Sequence, residues 1–214
     1  MTPSRMNVPN VITLARIASC PLLAWLVMSE NLQLRFFGFG LFVVAALSDV
    51  YDGYLARRYD MITDMGKLLD PFADKLLLAV TLVPIYLISH RVGPLDEAPV
   101  WGQLPMWILL VIFGREIFIT IFRGYAAKQG VVIAAGVAGK RKALFQMLFI
   151  GGALLWYPLA QVASDRAWVG AAWRFGSEGL EWFVAITLGV AIVLTVYSLL
   201  DYLWSYRTLV GIRD

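Results

Sequence analysis

Residues 49–74 read DVYDGYLARRYDMITDMGKLLDPFAD, a charged stretch set between two apolar ones. LRFFGFGLFVVAAL (34–47) precedes it and LLLAVTLVPIYLIS (76–89) follows. Together they predict two long helices, 34–58 and 68–90, each apolar over most of its length and acidic at the end nearest the other. A helix that spans a bilayer needs ~20 mostly apolar residues. Four further stretches qualify: 10–29, 104–128, 141–163 and 181–207. The expected fold is therefore an all-α integral membrane domain of six transmembrane helices, a single unit over 1–214.

Composition agrees. Hydrophobic residues make up 60% of the chain and charged residues 15%, with a mean hydropathy of +0.72. Soluble domains have ~45–50% and ~25%. The net charge of +3 is small, and no nucleic-acid partner is expected. Cys20 is the one cysteine, so no intrachain disulfide can form. It lies in an apolar stretch and reads as a small buried hydrophobe. His90 is also alone, and a metal site needs several ligands together.

The first apolar stretch carries Arg16 near its start and lacks a small-residue cleavage site, so it is expected to stay as a membrane helix. Its start falls near Pro9–Asn10, where Pro suits a first turn and Asn a cap. Loops are short and marked by Pro, Gly and charge. Residues 165–179 read as an interfacial loop, with Trp168 and Trp173 at headgroup depth.

With six spans, both termini and the 2–3 and 4–5 connections share one side. That side holds Arg5, Arg16, Arg57, Arg58, Lys67, Lys75, Lys128, Lys140, Arg141, Lys142, Arg207 and Arg213. The other side holds Arg35, Arg91, Arg166 and Arg174, while Arg115 and Arg123 lie within the fourth helix. The bias places the termini and the aspartate segment on the cytoplasmic face of the inner membrane.

Asp49 and Asp52 are three apart and share a helix face, with Ala56 four further on; Asp70 and Asp74 are four apart and share another. Two facing helices would present four carboxylates to one point. Their mutual repulsion would raise their pKa values unless a cation sat among them. Oxygen ligands suit Mg²⁺, Mn²⁺ or Ca²⁺. No His or Cys is nearby to suit zinc. Two ions ~3.5–4 Å apart could share such a set and clamp phosphoryl oxygens during displacement at phosphorus. Gly53, Ala56 and Gly66 leave room for close approach to the backbone, and Arg57 can pair with a phosphate through two nitrogens. The blander readings are that the glycines let helices pack tightly and that the aspartates are solvated helix ends.

These residues match the pattern D-x2-D-G-x2-A-R-x8-G-x3-D-x3-D at every fixed position. The segment resembles the signature of the CDP-alcohol phosphotransferase family. From average residue usage a chance match is on the order of one in ten million or rarer, so the resemblance is specific. It implies a six-helix membrane fold, usually a homodimer, that transfers a phosphatidyl-type group from a CDP-linked lipid to an alcohol and releases CMP. It implies that Asp49, Asp52 and Asp70 ligate two metal ions, Mg²⁺ or Mn²⁺. Asp74 would contact the second ion and act as base on the attacking hydroxyl. Asp52, Gly53, Ala56, Arg57 and Gly66 would line the cytidine diphosphate pocket.

The fourth and fifth helices bear on the acceptor. Arg115, Arg123, Lys140 and Lys142 read as a basic pocket for an anionic alcohol, since an Arg at membrane depth needs a partner or a polar cavity. The alternative is an internal ion pair, Arg115 with Glu116 or with a site aspartate. Asn7, Pro9, Asn10, Thr13 and Arg16, then Arg115, Glu116, Ile117 and Arg123, then Gly139, Lys140, Lys142 and Gln146 resemble the phosphatidylglycerophosphate synthase branch of bacteria; Ala143 stands where Thr is usual. That likeness implies CDP-diacylglycerol as donor and sn-glycerol 3-phosphate as acceptor. Inositol phosphate, serine or phosphatidylglycerol are alternative acceptors. A cation transporter is a reading from another class, though no inverted repeat or matched pair of broken helices is visible. A non-catalytic membrane scaffold gives no reason for four aspartates in register.

Overall fold

The computed structural model describes residues 7–61, 63–91, 102–131 and 137–206. It is all-helical, with six helices: α1 (Val8–Met28), α2 (Leu32–Arg58), α3 (Asp64–Ser89), α4 (Met106–Lys128), α5 (Val137–Asp165) and α6 (Ala171–Ser205). All except α4 are long and apolar enough to cross a membrane. The fourth carries Arg115, Glu116 and Arg123 along its length, which lowers its apolar character.

Helix α1 packs against both α2 and α3; α2 then packs on α5, α5 on α6, and α6 on α4. The buried core runs through these contacts and includes Leu23, Phe42, Leu77, Leu82, Ile85, Ile112, Ile150 and Leu188. Outward-facing positions are apolar too: Val44, Leu110, Ile121 and Val193 are exposed. A helix that is apolar all round suits a membrane span.

The helix ends near the aspartates are stitched together by side chains. Asn7, not Asn10, caps α1, accepting from the Asn10 backbone N–H at 3.1 Å, with Pro in the first turn. Asn10 lies within the helix instead, and its Nδ2 donates to Thr63 Oγ1 at 2.9 Å. Thr63 in turn caps α3, accepting from the Gly66 N–H at 3.0 Å. Asn7 Nδ2 donates to the Met61 carbonyl at 2.5 Å. The start of α1 is thereby tied to the α2–α3 connection, which fixes where α1 enters relative to both acidic segments.

At the other end of α1 the orphan carbonyls of its last turn have no basic residue of their own helix to meet them. Two arginines from neighbours do so: Arg35 Nε donates to the Ser29 carbonyl at 2.8 Å and Arg91 Nη2 to the Met28 carbonyl at 3.1 Å. Cys20 is buried, as its apolar setting predicts. His90 stacks on Tyr86, with ring centroids 4.2 Å apart.

The segment 165–179 differs from expectation. Only residues 166–170 connect the helices, because α6 begins at Ala171 and takes in Trp173. Trp173 still meets Trp168, edge to face, at 5.5 Å between centroids. Charge at Arg174, Glu178 and Glu181 reads as loop in a one-dimensional pattern, but it is tolerated on a helix turn that reaches past the apolar layer.

Candidate functional site

The signature aspartates gather where the acidic ends of α2 and α3 meet α1. Helix α1 packs on both helices, two of its side chains bridge carboxylates of the two, and Asp49 also meets Asp74 directly. Arg16 points between the acidic segments. Its Nη1 bonds Asp49 Oδ1, its Nη2 bonds Asp52 Oδ2, and Nη1 also reaches Asp74 Oδ1 at 3.4 Å. One turn earlier, Thr13 Oγ1 is 3.2 Å from Asp52 Oδ2 and 3.1 Å from Asp70 Oδ1. Thr13 and Arg16 are three apart and so share the α1 face that both acidic segments meet.

The carboxylates are graded in exposure. The side chains of Arg16 and Asp52 are 1% and 5% exposed, whereas those of Asp49 and Asp74 are 42% and 53% exposed. Asp70 is exposed as well. The site is thus closed at the Asp52–Arg16 pair and open at Asp74. A group that must reach an incoming molecule belongs at the open side.

From sequence, Arg16 counts among the charges of the cytoplasmic side and among the residues that resemble the bacterial branch. The structure buries it among three carboxylates. The signal was present in the spacing of Thr13 and Arg16, but nothing in one dimension shows that α1 packs on both α2 and α3.

The pattern's small residues play different parts. A Cβ on Gly53 would stand 3.5 Å from Arg57 Nη1, an ordinary contact, so Arg57 folds back along α2 over this position without needing it bare. A Cβ on Gly66 would fall 2.9 Å from Asn10 Oδ1 and 3.2 Å from Thr63 Oγ1, closer than a carbon tolerates. Gly66 is buried, and its bareness lets α3 start hard against α1. Ala56 is half-buried and Arg57 is exposed, at the same end of α2 as Asp52.

Among the described residues, no three Asp, Glu, His or Cys side chains stand ready as oriented to hold a metal ion. The Arg16 guanidinium bonds one oxygen from each of three carboxylates that such an ion would draw on. The donor chemistry nevertheless fits a hard divalent cation. Four carboxylates around one guanidinium leave an excess of negative charge. The nearby donors are all oxygens, and Thr13 adds a neutral one.

The basic residues of α4 and α5 form a second cluster. Glu116 sits at its centre, bonded to Lys142 Nζ and 3.3 Å from Arg115 Nη1. The internal pair of Arg115 with Glu116 weighed from sequence is therefore present, widened to include Lys142. Arg123 Nε donates to Tyr202 Oη on α6 at 3.0 Å, with the guanidinium 5.7 Å from the ring centre. Lys75, next to Asp74, is close enough to Arg123 and Lys142 for their charges to act on one another. The cluster therefore abuts the open side of the aspartate site. Lys140, two residues from Lys142, lies on a different face of α5 and is exposed. Gln146, one turn beyond Lys142, is buried, and its Nε2 has no hydrogen-bond partner.

Comparison with known proteins places the chain among relatives. The family model for CDP-alcohol phosphatidyltransferase matches residues 6–197. A CDP-diacylglycerol–glycerol-3-phosphate 3-phosphatidyltransferase of Bacillus subtilis is 32% identical over 201 residues, covering 82% of this chain and 96% of its own. One of the same name from Rickettsia bellii is 33% identical over 141 residues, 66% of this chain and 71% of its own. A cardiolipin synthase (CMP-forming) of Oryza sativa is 35% identical over 153 residues, 68% of this chain and 44% of its own. With the full aspartate pattern drawn together round α1 and a match over most of its length, the chain belongs to the CDP-alcohol phosphatidyltransferase family.

Proposed function

We propose that the chain transfers the phosphatidyl group from CDP-diacylglycerol to sn-glycerol 3-phosphate, giving phosphatidylglycerophosphate and CMP. The observation that carries this reading is the juxtaposition of the signature aspartates with a basic cluster beside Asp74. The names of the bacterial relatives support the same donor and acceptor.

Asp49, Asp52, Asp70 and Asp74 would hold two divalent cations, Mg²⁺ or Mn²⁺. Such ions, when bound, supply positive charge to the donor's pyrophosphate and to the departing CMP. The chain's own groups do the rest. Asp52, Gly53, Ala56 and Arg57 border the site for the cytidine diphosphate, Arg57 offering a two-nitrogen fork to a phosphate. Gly66 sets the approach of α3 at its edge. Asp74, half-exposed at the open side, accepts the proton of the acceptor's hydroxyl. The acceptor oxygen forms a bond to the lipid-side phosphorus as the bond to CMP breaks, and CMP leaves with the electron pair. Arg115, Arg123 and Lys142 hold the acceptor's phosphate, with Lys140 at the rim.

In this reading all six helices span the inner membrane as one domain over 1–214. The termini and the site face the cytoplasm, and the protein works as a homodimer. The excess of Lys and Arg on the site's side supports that orientation.

Purified protein in detergent, given CDP-diacylglycerol and Mg²⁺ or Mn²⁺, should release CMP when glycerol 3-phosphate is added and stop when EDTA is added. Inositol phosphate and serine are run in parallel. Release with another acceptor alone would replace the acceptor and leave the chemistry. Silence with every acceptor would remove the activity.

A second reading keeps the chemistry and takes phosphatidylglycerol as acceptor. The cardiolipin synthase relative favours it. That acceptor carries a phosphodiester rather than a dianionic phosphate. It gives less reason for Arg115, Arg123 and Lys142 to stand together, so the first reading is preferred.

A further inference from the structure

Arg16 differs from the other buried arginine described above. Arg35 is buried and donates to a helix-end carbonyl. Arg16 is buried and bonds three carboxylates from two other helices, Asp49 and Asp52 on α2 and Asp74 on α3. Its Nε is buried without a hydrogen-bond partner, so its two terminal nitrogens make all of its side-chain bonds. One positive charge faces three negative ones, with Asp70 a fourth through Thr13. Arg16 therefore neutralises part of the site and leaves the remainder.

It takes one oxygen from each of three carboxylates that a divalent cation at this site would draw on. A cation drawn to Asp49 Oδ1, Asp52 Oδ2 or Asp74 Oδ1 meets a guanidinium already there. Like charges at a few ångströms repel strongly in a half-screened site. Without Arg16, on the other hand, the bare carboxylates would push α2 and α3 apart from α1.

We propose that Arg16 is the resident counter-cation of the carboxylate site. In the metal-free protein it holds Asp49, Asp52 and Asp74 together. As divalent metal binds it gives up those oxygens, and by competing for them it weakens metal binding. It is a positioning residue, and the inference rests on the reading that this site takes divalent cations.

The test compares wild type, Arg16→Gln and Arg16→Lys as full-length proteins in detergent. Mn²⁺ affinity is measured by calorimetry and by the electron paramagnetic resonance signal of free Mn²⁺, and Tm is measured with and without Mn²⁺. Arg16→Gln should bind Mn²⁺ about tenfold or more tighter than wild type. Its metal-free Tm should be lower, and Mn²⁺ should raise it by more than it raises wild type. Arg16→Lys keeps the charge but lacks the two-nitrogen fork, so it should fall between the two. It also carries the test if the Gln variant does not fold. Equal or weaker Mn²⁺ binding in the variants overturns the proposal and makes Arg16 a scaffold for the ligands. A wild type that binds neither Mn²⁺ nor Mg²⁺ overturns the metal reading itself, and this inference with it.

Discussion

Thr13 Oγ1 lies 3.1 Å from Asp70 Oδ1 and joins α1 to α3 at the centre of the aspartate site. The same oxygen is 3.2 Å from Asp52 Oδ2 and 3.1 Å from the Pro9 carbonyl. A hydroxyl has one proton to give. Three acceptors around it cannot all be served; Asp52 Oδ2 has Arg16 Nη2 as well, which leaves the Thr13 proton for Asp70 or the Pro9 carbonyl. Thr13 thus stands between a carboxylate of α2 and one of α3, beside the Arg16 contact to the same Asp52 oxygen.

Thr13→Val keeps the shape and removes that proton. A hydrogen bond to a charged group is worth about 1.5–3 kcal/mol, so turnover should fall roughly tenfold to a hundredfold while the protein still folds. Thr13→Ser should stay within a few-fold of wild type. The assay is CMP release at saturating donor and acceptor, and a Val variant at the wild-type rate would reduce Thr13 to packing.

Asp74 is the carboxylate on which the proton transfer is placed, and its 53% exposure leaves it open to an incoming hydroxyl. Asp74→Asn cannot take that proton. Its kcat should fall by about 10²–10⁴, the usual contribution of a positioned base, with CDP-diacylglycerol binding preserved. Equilibrium binding of the donor, measured beside kcat, separates this from loss of the site. Turnover near wild type would take the base role from Asp74.

Much of this was legible in one dimension, for reasons that particular residues show. Helical periodicity put each aspartate pair on one face, and the resemblance of residues 49–74 to a known signature, not the periodicity, pointed to the family. The six helices followed from runs of apolar residues. Arg16 was legible as a charge of the site's side and as part of the branch pattern, but its partners were not, because a positive charge near a helix end looks the same whether it meets headgroups or a carboxylate on another helix. Asn10 looked like a cap because it follows Pro9, yet Asn7 takes that place and Asn10 reaches across to Thr63. Lys140 and Lys142 read alike in the basic pocket and the branch pattern, and the helix sets them on different faces, Lys142 buried and Lys140 exposed.

The α5–α6 contact offers a stability test away from the chemistry. A Cβ at Gly152 would fall 2.8 Å from Val184 Cγ2 and 3.1 Å from Phe183 Cδ1. Val184 is buried and β-branched, so it has little freedom to move aside. Gly152→Ala should destabilise the protein by about 1–3 kcal/mol, the usual cost of overpacking, read as a lower Tm in detergent. Gly189 on α6 has open space where its Cβ would stand, and Gly189→Ala should be neutral or slightly stabilising. An equal effect at both positions would mean that α5 and α6 do not approach as described.

Arg123 tests the acceptor pocket, because its two roles predict different kinetics. It is held by Tyr202 through a 3.0 Å hydrogen bond and lies near Lys75, which adjoins Asp74. If it binds the acceptor's phosphate, Arg123→Ala should raise the KM for glycerol 3-phosphate by about tenfold to a hundredfold, the loss of one charged hydrogen bond. The KM for CDP-diacylglycerol should move little. Tyr202→Phe leaves the charge in place and removes only its tether, so a smaller rise in the same KM is expected. If Arg123 serves only to join α4 to α6, both variants should lower Tm and leave the acceptor KM alone. A rise confined to the donor KM would move Arg123 to the other side of the site and leave Arg115 and Lys142, joined through Glu116, as the acceptor's partners.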